Sequence, residues 1–180
     1  EFWMKQSEEV RKLLDEAVIR YNQPDFIEND PIQIPHRFTR KEDIEIAGFL
    51  AATLAWGQRK TIVKNGDFLM DLMENSPFDF VKEGKDFNRF SRFVHRTFNG
   101  ADCVFFLNSL KNIYQNYGGL EQVFTDGFQK NKTIYDSLKH FRDVFFSIPH
   151  EKHAEKHVSD VASGSSAKRL NMYLRWMVRK

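Results

Sequence analysis

Thr39-Arg40-Lys41-Glu42-Asp43-Ile44-Glu45-Ile46-Ala47-Gly48-Phe49-Leu50-Ala51-Ala52-Thr53-Leu54-Ala55-Trp56 is the stretch from which the fold is read. Thr39 and Glu42 have the spacing of a capping box, in which a hydroxyl and a carboxylate satisfy the free N–H groups of a helix start. Ile46, Ala47, Leu50, Ala51, Leu54 and Ala55 then recur at helical spacing, the most regular apolar stripe in the chain. The stretch reads as a central, buried helix. Thr39 is expected just before its start, and Leu50 and Leu54 nearly fully inside.

Working outward, the neighbours are helical too. Residues 22–38, with Pro24, Pro31 and Pro35, read as an irregular connection. Before it, Ser7 has the character of a cap for a helix with Val10, Leu13, Leu14, Ala17, Val18 and Tyr21 on its apolar face, ending before Pro24. After it, a helix is expected over about Lys60 to Met73, stopped by Asn75-Ser76-Pro77. Another starts at Asp102 and runs through Phe106, Leu110 and Tyr114 to Gly118-Gly119; a further one covers Thr133 to Phe146. Phe87, Phe90 and Phe93 at threes fit a helix or an irregular segment. No stretch alternates convincingly as a strand, and neither a repeat nor a low-complexity tract is present. The fold class is all-α.

With 180 residues and 18 Phe, the chain has material for one domain with a substantial core or for two small lobes. Its lone Cys103 stands in an apolar run and reads as a buried small hydrophobe. No run of about 18 apolar residues exists, which argues against a membrane span, and the charged amino terminus is unlike a signal peptide. A cytoplasmic protein is expected. The sequence starts at Glu1 and reaches Lys180 inside an apparent helix, so residues 1–180 read as a single helical domain that is incomplete at its carboxyl end. Net charge is +2, but its distribution is uneven. Residues 150–180 hold seven of the 27 Lys and Arg and three of the 25 acids, leaving 20 basic and 22 acidic residues before them.

The basic end has a design of its own. In residues 162–180, the turn Ala162-Ser163-Gly164-Ser165-Ser166-Ala167 leads into Lys168-Arg169-Leu170-Asn171-Met172-Tyr173-Leu174-Arg175-Trp176-Met177. Leu170, Tyr173, Leu174 and Met177 form one face; Lys168, Met172, Arg175 and Arg179 form another, largely basic. Free N–H groups at a helix start, the helix dipole and Lys168 in the first turn suit a phosphate. A solvated surface helix has the same appearance, and both readings stand.

The pattern Gly164-x-Ser166-x-Lys168-x-x-Asn171 ahead of a helix resembles the hairpin of the helix-hairpin-helix, endonuclease-III-like DNA glycosylases. The resemblance implies a helical bundle of that type, DNA as partner, and base-excision chemistry in which Lys168 attacks the sugar C1′ as a damaged base leaves. The alternative is a non-catalytic nucleic-acid-binding module. Gly164, Ser165, Ser166, Arg169 and Arg175 would then contact phosphate, while Gln58, followed by Arg59, resembles by position the glutamine that fills the space of a flipped base. Ser166 stands where the hairpin has its second glycine, which suits a negative φ and is strained where the turn needs left-handed geometry. More of the chain is similar to an uncharacterised family known as a domain of unknown function. That likeness rests on His36-Arg37-Phe38, on Ala47 through Arg59, and on Lys168 through Met177. It implies a continuation with a segment similar to the glycosylases' Pro-x-Asp-x-His turn; within residues 1–180 no catalytic aspartate is assigned.

Other constellations are sparse. His153 and His157 share a helical face at i, i+4, with His150 nearby, a spacing that suits zinc or a plain solvated segment. Lys152 and Lys156 interrupt them and no cysteine is near, so no metal and no cofactor are expected. Asp25, Glu28 and Asp30 form an acidic loop that fits no cation-loop signature. Neither a phosphate-cradling Gly-x-x-x-x-Gly-Lys nor a Gly-x-Ser-x-Gly elbow occurs, leaving nucleotide hydrolysis and serine esterase chemistry without support.

Overall fold

The structure is a computed structural model that describes residues 2–23, 27–28, 30–84 and 86–179. Helix α1 (Phe2–Tyr21) is followed by two 3-10 turns, Pro31–Gln33 and Pro35–Arg37, then α2 (Lys41–Leu54), α3 (Arg59–Leu72) and the short α4 (Pro77–Glu83). A 3-10 turn at Phe87–Phe90 and a two-strand ribbon, β1 (Val94–His95) and β2 (Phe98–Asn99), lead to α5 (Gly100–Asn116). Helices α6 (Leu120–Asn131) and α7 (Ile134–Phe145), the 3-10 segment Lys152–His157, and α8 (Lys168–Val178) complete the order. The architecture is all-α, the antiparallel ribbon being the one strand pairing among the described residues.

Helix α2 is the centre. Ile46, Ala47, Phe49, Leu50, Ala51, Ala52 and Leu54 are each no more than 2% exposed, so burial wraps the helix on every side. Burying an element all round needs neighbours all round. The Pro31–Arg37 turns, α3, α4 and α8 supply them. Phe49 is a hub, its ring 5.4 Å from Phe141 and Phe145 and 5.8 Å from Phe106 and Tyr173. Each such aromatic contact adds about 0.5–1.5 kcal/mol beyond area burial. Where α8 crosses α2 the contact point is Gly48: a Cβ there would lie 2.6 Å from the Met177 methyl and 3.5 Å from the Tyr173 ring.

The local signals act unevenly. Thr39 lies two residues before Lys41, but the capping box does not form. Arg40 is the cap residue, Glu42 pairs with Arg40 at 3.4 Å, and Asp43 accepts from the Phe78 N–H at 2.9 Å, tying α2 to α4. The capping box forms instead at α5, between Asn99 and Asp102. Ser7 lies inside α1, which begins at Phe2; the helix ends at Tyr21, and Pro24 and Asp25 lie outside the described residues. Its apolar stripe is exposed, with Val10, Leu13, Leu14 and Val18 at 50–65%. Asp30 caps the first 3-10 turn by accepting from the Ile32 N–H. Cys103 is fully buried and its thiol is pushed up by burial. No helix among the described residues is long and apolar enough to cross a membrane.

Because Leu50 and Leu54 fill the interior of α2, truncating either to Ala leaves a cavity that its neighbours cannot close. A loss of about 2–5 kcal/mol is expected from each in denaturant titration. Val10→Ala and Leu14→Ala on the exposed stripe of α1 are expected to change stability by about 0.5 kcal/mol or less.

Candidate nucleic-acid interface and histidine cluster

The turn before α8 is organised by Asp160. Its carboxylate accepts from the Ala162 N–H at 2.9 Å and the Ser163 hydroxyl at 2.7 Å, and the serine contact holds the carboxyl below its usual range. Gly164 and Ser165 N–H donate back to Val161 and Asp160 carbonyls, both at 3.1 Å. Gly164 has φ +85°, and a Cβ built there meets nothing within 4 Å, so the tip of the turn opens to solvent. The second left-handed residue is Ala167 (φ 46°, ψ 43°), fully buried, and not Ser166. The glycine position at 166 is therefore occupied without strain, while the strain sits one residue on, where an L-residue in this region costs about 1–2 kcal/mol.

Helix α8 starts at Lys168, as its turn residues predict. Its first ladder bond runs from the Asn171 N–H to the Ala167 carbonyl at 2.9 Å; the N–H groups of Lys168, Arg169 and Leu170 thus precede the ladder and lack a helical acceptor. Gly164, Ser165, Ser166, Lys168 and Arg175 are exposed. No carboxylate lies within ion-pair distance of Lys168 or Arg175 among the described residues.

Arg169 behaves differently. Its guanidinium turns inward and donates to the Thr53 carbonyl at 2.5 Å and the His157 carbonyl at 3.3 Å. Burial lowers its pKa, and the partners are backbone oxygens. The sequence places Arg169 among the phosphate contacts, whereas both of its terminal nitrogens are engaged with backbone carbonyls of the protein. The packing face of α8 also shifts, with Leu170, Tyr173 and Trp176 buried and Leu174 and Met177 half-buried. Arg179 reaches the Tyr21 and Gln23 carbonyls at the end of α1. Gln58 is the exposed cap residue of α3, and Arg59 is exposed and approaches Asp30 at 3.8 Å. The Arg169–Thr53 bond joins the start of α8 to the last turn of α2, the end from which Gln58 and Arg59 follow.

The histidines meet a partner that spacing hides. Segment Lys152–His157 is a 3-10 helix, not an α-helix. His153 Nδ1 lies 2.9 Å from Asp102 Oδ1, and His157 Nε2 lies 3.1 Å from Asp102 Oδ2. Lys156 Nζ sits 2.6 Å from His153 Nε2. An ammonium only donates, so His153 Nε2 accepts and its Nδ1–H donates to Asp102. His157 and Asp102 are buried and His153 is exposed; burial pushes the His157 imidazole down against the pull of Asp102. His150 stands apart, its Nδ1–H donating to the Ile148 carbonyl at 2.8 Å and its ring lying tilted against Phe105 and Phe146. Asp102 also lines a groove of about 650 Å³ with Ser91, Gly100, Phe105, Ile148 and His150. Asp102 lies 51 and 55 residues from its histidines, so only the packing of 152–157 on α5 brings them together.

Two further polar groups escaped the sequence. Glu45 points from α2 into an apolar groove of about 630 Å³ beside Lys41, Phe124 and Tyr173. It accepts from the Tyr114 hydroxyl at 2.6 Å, and burial raises its carboxyl above the ordinary value despite that bond. After α2, Trp56 carries the Arg96 guanidinium over its ring at 4.5 Å. The buried indole N–H of Trp56 has no acceptor among the described residues.

An all-α domain with an exposed turn that leads into a basic-faced helix, and a His-Asp-His cluster of which Asp102 and His157 are buried, is the class that this geometry defines. Its residues 30–180 match the family model described as protein of unknown function (DUF2400), and the chain belongs to that family. Comparison with curated proteins found no match, nor did comparison with solved structures.

Glu45 yields a pH signature. A carboxyl whose pKa is higher in the folded than in the unfolded chain makes the folded state the better proton binder, so stability falls as pH rises from the ordinary value of 4.5 and levels off above the raised one. Glu45→Gln keeps an acceptor for Tyr114 and removes the charge. Urea titrations of the Gln variant are expected to show less of this decline than wild type; equal slopes across that window would remove Glu45 as its source.

Proposed function

We propose that this domain binds DNA through its backbone phosphates at the Gly164–Lys168 turn, in the manner of a helix-hairpin-helix glycosylase. The observation that carries the reading is the combination at one exposed spot of three helix-start N–H groups without ladder acceptors, an open Gly164 tip, and a Lys168 with no carboxylate partner among the described residues. Oriented N–H groups and a helix dipole attract an anion, and a cation in the same turn adds to the field. Arg175, two turns along the same stripe, extends the contact along a strand. Arg169 supports the turn from inside.

A second reading gives Lys168 the chemistry of a base-excision lyase. It is favoured by the position of the exposed Lys168 amine on the first helical residue after the hairpin, the offset at which the glycosylases present their nucleophile. In that role the amine adds to the sugar C1′ as the base departs, and the resulting imine permits strand cleavage by elimination.

Binding of the intact protein to duplex DNA is expected to weaken steeply with salt. Lys168→Ala and Arg175→Ala are each expected to lower the slope of log K against log salt by roughly one. Arg169→Ala is expected to lower stability in denaturant titration, because it removes an anchor. Affinity that does not change between low and moderate salt would overturn the binding reading. Borohydride trapping on DNA with an abasic site decides the chemistry: an adduct lost in Lys168→Ala establishes the lyase, and salt-sensitive binding without an adduct leaves a binding module.

A further inference from the structure

Asp102, His153 and His157 offer one carboxylate and two imidazoles from segments far apart in sequence, and their ligand atoms all lie within 4.8 Å of one another. We propose that these three residues bind a single divalent transition-metal cation, with zinc as the first candidate. Three atoms so spaced have a common centre within about 2.8 Å of each, and small side-chain rotations reach the ~2.0–2.2 Å of zinc–nitrogen and zinc–oxygen bonds. The donor set chooses the metal class: imidazole nitrogen suits zinc, cobalt and nickel, whereas calcium and magnesium are held by oxygens.

The ligands are held in advance. Asp102 is fixed at the third position of α5 by the capping box, its Oδ2 accepting from the Asn99 N–H at 3.0 Å. The His157 ring packs edge-on against Phe98 at 5.0 Å, and its carbonyl is gripped by Arg169. Side chains of Asp102 and His157 are 3% and 2% exposed, while His153 is 41% exposed and opens a route from solvent. Among the described residues no Lys or Arg forms an ion pair with Asp102. A buried carboxylate flanked by two imidazoles lacks a formal countercharge in contact with it, which a divalent cation supplies.

Lys156 makes the proposal specific. A metal on His153 Nδ1 moves the ring proton to Nε2, which then donates and no longer accepts from the Lys156 ammonium. The exposed Lys156 side chain swings away, and its present contact therefore competes with the cation. On His157 the metal takes Nε2 and the proton passes to Nδ1, so neither ring changes its proton count.

The test uses the intact, untagged protein, stripped with chelator and titrated with Zn²⁺ by calorimetry and with Co²⁺ by visible absorption. One saturable zinc per chain and cobalt bands of a four- or five-coordinate nitrogen–oxygen site are expected. His153→Gln, at an exposed position, is expected to keep the fold and lose affinity by more than the ~10–100-fold that an outer-shell change costs. Lys156→Gln is expected to bind several-fold more tightly. Wild type without stoichiometric uptake, or His153→Gln binding like wild type, would overturn the site and leave a hydrogen-bonded clamp. DNA binding is measured apart from this and stands or falls on its own.

Discussion

A guanidinium turned away from water is what the region before and around α8 depends on. Arg169 bridges the Thr53 carbonyl at the end of α2 and the His157 carbonyl at the end of the 3-10 segment, joining three pieces of chain at one point. Hydrogen bonds to a charged donor are worth about 1.5–3 kcal/mol each, more than neutral ones, and removing the donor leaves buried carbonyls unsatisfied. The open turn is displayed because its neighbour is not.

The same principle governs residues 147–167 as a whole. Between α7 and α8 the chain forms no α-helix, and few of its side chains reach the core, so polar anchors do the positioning. Arg142 donates to the Glu155 and Val158 carbonyls, approaches Asp160 at 3.9 Å and stacks on Phe146. Asp102 holds the two histidines from α5. Candidate phosphate turn and candidate cation cluster therefore hang from one irregular segment, fastened to α2, α5 and α7 by side chains of opposite polarity.

What the sequence made legible follows from the range of each interaction. Apolar periodicity is local and dense, so the burial of Leu50 and Leu54, the ends of α3 and α7, and the start of α8 at Lys168 could be read directly. Helix α4, with seven residues, is too short to show a stripe, and α6, as long as α7, went unread although Leu120, Val123, Phe124 and Gly127 give it a narrow buried face. Caps misled for another reason. Thr39 and Glu42 have the right spacing, yet Glu42 pairs locally with Arg40, which in turn reaches Asp79 on α4. Of the candidate site, the turn was visible because its residues are neighbours, whereas the inward fold of Arg169 and the union of Asp102 with His153 and His157 depend on contacts over more than 50 residues in the histidine case and 116 in the Thr53 case.

Gly48 carries a consequence for how this chain can change over time. The axis of α8, and with it the place of Lys168, is set where the Tyr173 ring and the Met177 methyl rest on a position that has no side chain. The nearest atom is the far end of a pliant thioether chain, which can be shortened or rerouted, while the ring behind it is locked among Phe49 and Phe124. An alanine at 48 is thus admitted where the Met177 chain reroutes or is shortened, so the cost of a change at the first position depends on what stands at the second, and the two are coupled rather than independent.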